Sequence, residues 1–390
     1  MGLAGLGLSQ PADATAELLT RIRQHMADNL ARLPNYTCLE TIERTAKPPR
    51  SKRFLTIDRV RLDVAYIGKQ ELYSWPGEGK FQEKTIGQIV GSGAAISSGS
   101  FALHANALFR SEAAQFSSAN ESQDNGIRTV RFDFRVSKQK SRYAIDTGGL
   151  QPDIVPYHGF IEANADTLAL MRIEVRADDL PADLKLVSTN EIIQYAQSRI
   201  GDADFLLPES SDLILVEPTG RESRNLIRFE DCHQFTGASN IRFDDPTADA
   251  KAPQPAGPIE LPKGLTVEAA LRDPVGGENA RGDIVYAIVL GDVKKSGQLI
   301  IPKGAILAGH ITRIETRYVR YSVYFGAGME FDAIEFDGRR GDFSAELEQA
   351  GLGTGYFVGK SDHGESMVYL ETRARAKRLP AGMRMLFKTK

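Results

Sequence analysis

A chain of 390 residues is long enough for two or three domains with substantial cores. Its 42% hydrophobic and 25% charged residues are those of a folded globular protein, and a formal net charge of −3 gives no reason to expect nucleic-acid or anionic-membrane binding through bulk charge. No stretch approaches about 18 consecutive apolar residues, which excludes a transmembrane helix.

Residues 1–12 open with the apolar, glycine-rich Met1 to Gln10, which carry no basic residue. They read either as the tail of a secretory h-region whose charged start is missing or as a segment of no special meaning; the first reading is adopted. Leu6 stands where myristoylation requires Ser or Thr, and no Cys near the start offers a lipoprotein anchor.

Leu18, Ile22, Met26 and Leu30 recur every four residues, with Leu19 and Leu33 widening the stripe. The spacing predicts an amphipathic helix over Asp13 to Leu33, with Asp13 as N-cap and Pro34-Asn35 as its end. Arg21, Gln24 and Asp28 occupy the opposite face, so the apolar face needs a cover, most simply a sheet.

From Tyr36 onward alternation predicts about two hundred residues of β-structure. Val130, Phe132, Phe134 and Val136 alternate with Arg131, Asp133 and Arg135, which implies an antiparallel sheet with one buried face. Hairpins are predicted at Phe160 to Val175 around Asn164 to Thr167, and at Glu191 to Pro208 around Gly201-Asp202. A third is predicted from Leu213 to Phe229 around Pro218-Thr219-Gly220. Gly91 to Gly99 breaks this run and leads into a short helix over Phe101 to Phe109. The stretch is a candidate rim for a binding cleft.

Residues 245–258, from Asp245 to Pro258, are rich in Pro and Ala and read as a semi-stiff linker between domains at 13–244 and 259–390. The second domain reads as strands and turns without a helix, with a hairpin whose arms, Tyr318 to Phe325 and Met329 to Phe336, flank Gly326-Ala327-Gly328. Many short strands with Gly and Pro turns indicate a small barrel or sandwich. The predicted class is mainly β (α+β): an N-terminal curved antiparallel half-barrel on a long amphipathic helix, then the C-terminal β-barrel or sandwich.

No catalytic constellation is found. Histidines 25, 104, 158, 233, 310 and 363 include no pair at metal-ligand spacing, and Cys232-His233 would point to opposite faces of a strand. Ser97, Ser98 and Ser100 lack a nucleophile elbow, and Gly91-Ser92-Gly93 lacks the Gly-Lys-Ser/Thr ending of a phosphate loop. Arg281-Gly282-Asp283 and Arg340-Gly341-Asp342 spell an adhesion tripeptide, but each sits where a turn feeds a strand, and turn chemistry explains both. Trp75 in Trp75-Pro76-Gly77 reads as a core or turn aromatic. No catalytic, cofactor or metal residue is therefore assigned, no cofactor is expected, and the chain is read as a non-enzyme. The two cysteines, Cys38 and Cys232, are candidates for a disulfide if the protein is exported; two unrelated buried thiols are the alternative.

The phrase Leu261-Pro262-Lys263-Gly264 returns as Ile301-Pro302-Lys303-Gly304 and, more loosely, as Leu379-Pro380-Ala381-Gly382. With Val267 to Leu271, Gly282 to Ala287 and Leu299 to Gly309, these residues make 259–390 resemble the C-terminal β-barrel of TrbI-like type IV secretion scaffolds. The helical pore insertion and inner-membrane anchor of those scaffolds are not seen in this sequence. The leading helix, the antiparallel run, the Phe160 to Val175 hairpin and Ile200 to Pro208 make Asp13 to Phe243 resemble, more loosely, the LolA/LolB lipoprotein-carrier fold. That resemblance implies a curved sheet over helices with an apolar cavity for acyl chains. Together the resemblances imply a periplasmic, secreted or cell-envelope protein without enzymatic activity. Its first domain would bind a lipid, a lipoprotein or an envelope protein partner, through ligand residues the sequence does not name. The alternative is a structural subunit of an envelope or secretion assembly with no ligand cavity.

Overall fold

The computed structural model describes residues 11–68, 70–78, 81–90, 103–124, 126–145, 153–235, 259–319, 322–351, 355–361, 366–372 and 378–390. Gly91 to Gly99, the 245–258 linker and Met1 to Gln10 lie outside them. The protein is mainly β, with 60% of the described residues in strands and 11% in helices. Two compact units form. The first is Met1–Ile57, Leu62–Ser74 and Phe81–Ala238; the second is Asp58–Arg61, Trp75–Lys80 and Ser239–Lys390. Two short early segments thus belong with the later unit, which a single linear cut cannot express.

The first unit begins with α1 (Pro11–Arg32). Pro11 suits the first turn because its missing N–H would have no intrahelical partner there. The helix starts two residues before the expected cap, so Asp13 lies inside it. Then follow β1 (Tyr36–Lys47), β2 (Leu55–Ile67), β3 (Gln70–Ser74), the short helices α2 (Ile86–Val90) and α3 (Leu103–Phe109), β4 (Ala114–Asp124) and β5 (Ile127–Val136). After the small pair β6 (Ala144–Ile145) and β7 (Asp153–Ile154) come β8 (Tyr157–Asn164), β9 (Leu170–Ala177), β10 (Ser188–Ile200), β11 (Ala203–Val216) and β12 (Glu222–Gln234).

Ten of these strands form one sheet in the order β3-β2-β1-β12-β11-β10-β9-β8-β5-β4. Its first and last segments, β1 and β12, are neighbours and pair antiparallel. Ile22 and Met26 of α1 are fully buried in a core with Leu108 and Phe109 of α3 and Val130, Phe132, Phe134, Ile161 and Ile173 of the sheet. Burying one such side chain contributes about 1.5–3 kcal/mol, which gives α1 its docking energy. Two predicted short strands, Phe205 to Pro208 and Leu213 to Glu217, are one strand, β11. Pro208 is tolerated inside it because the β10–β11 register slips between Gln194 and Tyr195, where Tyr195 faces Pro208.

The second unit holds β13 (Thr266–Leu271), β14 (Val275–Gly276), β15 (Ile284–Val289), β16 (Val293–Lys295), β17 (Gln298–Ile301), β18 (Ile306–Val319) and β19 (Ser322–Phe336). It ends with β20 (Arg339–Asp342), β21 (Ala345–Ala350), β22 (Tyr356–Lys360), β23 (Ser366–Thr372), β24 (Arg378–Leu379) and β25 (Arg384–Thr389). The main sheet runs β21-β25-β13-β15-β18-β19-β23-β22, with β20 on β19, and its end strands β21 and β22 come into contact. This is a nearly closed barrel around Val267, Leu307, Ile311, Phe325, Val368 and Met385.

The recurring Pro-x-Gly phrases are turns that hand each strand to its neighbour. Gly264, Gly304 and Gly382 have φ of +80°, +88° and +78°, as the third position of a type II turn requires. Their N–H groups donate to the carbonyls of Thr389, Val289 and Leu271, at strand ends. The predicted turn at Gly326-Ala327-Gly328 is not there: these residues lie inside β19, paired with Glu315, Ile314 and Arg313 of β18. Glycine is needed for closeness rather than for turning, since a Cβ at Gly326 would lie 2.6 Å from the Tyr369 ring.

Both Arg-Gly-Asp tripeptides are structural. Arg281 is 5% exposed, and its backbone pairs with the Asp58–Arg61 segment through Arg61 N–H to Arg281 C=O (2.7 Å) and Arg281 N–H to Arg59 C=O (2.8 Å). Asp283 accepts from Arg61 Nη1 at 2.6 Å. The second tripeptide lies on β20, where Gly341 bridges to Ile259.

Candidate functional site

Alternation on β1 puts Cys38, Glu40, Ile42 and Arg44 on the covered face of the ten-stranded sheet, all essentially inaccessible. Register continues this face across Asn225, Leu213, Glu191 and Val175 in one row, and across Ile227, Ser211, Ile193 and Ile173 in the next. The β5-β8-β9 sector is therefore apolar, whereas the β1-β12-β11-β10 sector carries buried polar groups.

Both Glu40 carboxylate oxygens, both Asn225 amide atoms and the Tyr195 hydroxyl have no hydrogen-bond partner within the protein. Burial, and then the Glu71 carboxylate, hold the Glu40 carboxyl well above its usual range, so it carries a proton where exposed carboxylates are ionised. Burial, with Glu71, Tyr195 and Tyr66 adding, raises the Tyr36 hydroxyl as well. This sector thus combines a protonated Glu40 with the buried Arg44 guanidinium and is rich in donors and acceptors.

Next to it, His104 of α3 is fully buried, with the Tyr143 and Tyr157 rings edge-on at 5.2 and 5.1 Å. Its Nε2 lies 3.5 Å from Glu191 Oε2, while Ser211 Oγ donates to Glu191 Oε1 at 2.7 Å. The carboxylate separates the hydroxyl from the imidazole. In a hydrolytic triad the imidazole stands between them, so this trio is not set up for nucleophilic attack.

An open cleft of about 560 Å³ lies at the rim of the same unit, within the range typical of small-ligand sites. Ala14, Thr15, Leu18 and Arg21 of α1 form one wall; Glu121 of β4, Arg128 of β5 and the β8–β9 turn form the other. Leu18, in the α1 wall, also packs against the apolar core. Arg128 pairs with Asp166 at 3.2 Å, and that turn is fixed by Asn164 Oδ1 accepting from the N–H groups of Asp166 and Thr167. The cleft is therefore mainly polar, with Leu18, Ala14 and Ala165 as its apolar lining and charges of both signs in Arg21, Arg128, Glu121 and Asp166.

The structure joins Cys38 and Cys232 in a disulfide between β1 and β12, at the point where their register shifts between Thr37 and Leu39. Neighbouring His233 is exposed, with Nδ1 2.9 Å from the Asp231 carbonyl oxygen, and it is not part of the His/carboxylate cluster found among the described residues. Ser97, Ser98, Ser100 and His363 lie outside the described residues. No protein-family model matches the chain, and no curated protein or solved structure is detectably similar to it.

The buried polar sector is what sequence reasoning missed. Glu40 and Arg44 stand in phase with Cys38 and Ile42, and Glu191 with Ile193. Charged residues at core phase of an alternating strand were the available signal.

Proposed function

We propose that this is an exported envelope protein, periplasmic or at the cell surface, whose first unit binds an amphipathic, lipid-like ligand or the acylated end of a lipoprotein. The second unit acts as an interaction module for an envelope partner. The observation that carries this reading is the cleft between α1 and the β4–β5 edge, which sets Leu18 and two alanines beside two arginines and two carboxylates. An acyl chain suits Leu18, Ala14 and Ala165, and a charged headgroup suits Arg21 and Arg128. Resemblance to the LolA/LolB carriers and the TrbI-like barrel supports the envelope setting, as does a disulfide, which persists in oxidising compartments. No helix of the described residues is long and apolar enough to cross a membrane.

The test is uptake of a fluorescent fatty acid by delipidated protein. Saturable binding that Leu18→Arg weakens at least tenfold is expected. Absence of saturable binding by the wild type, or equal binding by the variant, overturns the reading. One observation favours a second reading, a structural assembly subunit without a ligand: Ile22, Met26, Tyr36 and Ile42 already fill the deep part of the covered face. Failure of uptake together with a defined oligomer in sedimentation would select it.

A further inference from the structure

We infer that Glu78, His310 and Asp332, all in the second unit, form a binding site for one divalent first-row transition ion, with Zn²⁺ the best match. His310 Nδ1 lies 3.8 Å from Glu78 Oε1 and 3.7 Å from Asp332 Oδ2, and all three ligand atoms fall within 4.8 Å of one another. Around a tetrahedral zinc with bonds near 2.1 Å, ligand atoms stand about 3.4 Å apart. His310 needs a contraction of only a few tenths of an ångström toward each carboxylate, and the two carboxylate oxygens, within 4.8 Å of each other, close the site by side-chain rotation of up to about 1.4 Å.

Those separations are too long for hydrogen bonds. His310 is only 7% exposed, and its Nδ1, aimed between the two carboxylates, has no hydrogen-bond partner within the protein. A buried ring nitrogen left unpaired is costly, and a metal would supply what it lacks. One imidazole with two carboxylates suits zinc better than magnesium or calcium, which prefer oxygen alone.

The backbone is shaped to bring the three together. Register between β18 and β19 slips on both sides of His310, at Ala308/Gly309 and at Ile311/Arg313. Asp332 falls between Phe331 and Ala333, the partners of Gly309 and Ala308, so it is the extra residue of the first bulge. Bulges re-aim side chains in this way. Gly309 permits the close approach, since a Cβ there would stand 1.9 Å from the Glu330 carbonyl oxygen. Glu78 is delivered by the Trp75–Glu78 turn, in which Gly77 has φ +79° and Glu78 N–H donates to Trp75 C=O. The Trp75 ring stacks on the imidazole at 5.0 Å and 20°, which fixes the ring plane. Three protein ligands leave a coordination position for water or for a donor from a partner.

Trp75 is the chain's only tryptophan, so its fluorescence reports directly on the ligand it covers. Untagged, EDTA-dialysed full-length protein is titrated with Ni²⁺ or Cu²⁺ for quenching, and with Zn²⁺ by calorimetry. The expected result is one Zn²⁺ per chain with Kd of about 10 μM or tighter, displacing the quenching ion, while millimolar Mg²⁺ does not displace it. His310→Ala should abolish binding. Asp332→Asn, at a half-exposed position that leaves folding intact, and Glu78→Gln should each weaken it by about tenfold or more. No heat and no fluorescence change up to about 1 mM Zn²⁺ overturns the proposal, as does unchanged affinity in both Asp332→Asn and Glu78→Gln.

Discussion

Reducing the Cys38–Cys232 bond should strip the first unit of much of its stability. The two residues are 194 apart in sequence, and in the chain-entropy model a loop of that length contributes about 18 cal/mol/K, or about 5 kcal/mol at 25 °C. For a domain of this size that corresponds to a fall in Tm of roughly 10–20 °C. Scanning calorimetry with and without dithiothreitol measures the shift. Cys38→Ala, Cys232→Ala and the double variant separate the cross-link from the side chains. Because either single change removes the whole bond, all three variants should fall together. Their spread should stay within about 1 kcal/mol, the worth of the buried Cys38 sulfur. A reduced protein within about 1 kcal/mol of the oxidised one would refute the reasoning, as would a double variant costing the sum of the singles.

Gly282→Ala should destabilise the second unit by roughly 3 kcal/mol, read as a lowered urea midpoint. Its φ is +91°, and a Cβ would stand 2.2 Å from the Arg61 carbonyl oxygen and 2.9 Å from the Trp75 ring; a midpoint within error of wild type would contradict this. Glu40 gives a pH signature. Its folded-state pKa is raised by burial, so the group favours folding fully below the unfolded carboxylate range, and that contribution is lost as pH rises through the folded value. Glu40→Gln should therefore match wild type near about pH 4 and exceed it at neutral pH. Parallel stability curves across that range would show that Glu40 is not the titrating group.

Most of the secondary structure was legible because it rests on local pattern. The α1 stripe and the alternation of Val130 to Val136 state their burial in sequence, and Asn164 to Thr167 states its turn. The Pro-x-Gly phrases announced barrel turns because only glycine adopts their φ cheaply. Gly326-Ala327-Gly328 misled for the same reason: glycine also serves close packing, and Tyr369, which demands it, is far away in the chain. Neither candidate site was legible. The cleft is built from residues 14–21, 121–128 and 165–166, and the His310 cluster from residues 78, 310 and 332. No spacing rule links segments that only strand order brings together. The bulge that turns Asp332 toward His310 exists only in the pairing of two strands.

The adjacency of β1 and β12 also has a temporal side. At about 5–20 residues per second, ribosomes need roughly 10–40 s to reach Cys232 after Cys38. During that interval β1 can pair with β2 on one side only. Its other edge waits with unpaired N–H and C=O groups and an inward row of Cys38, Glu40, Ile42 and Arg44. The nascent chain therefore presents a free thiol and an open strand edge together, until the last strand of the unit arrives to close both.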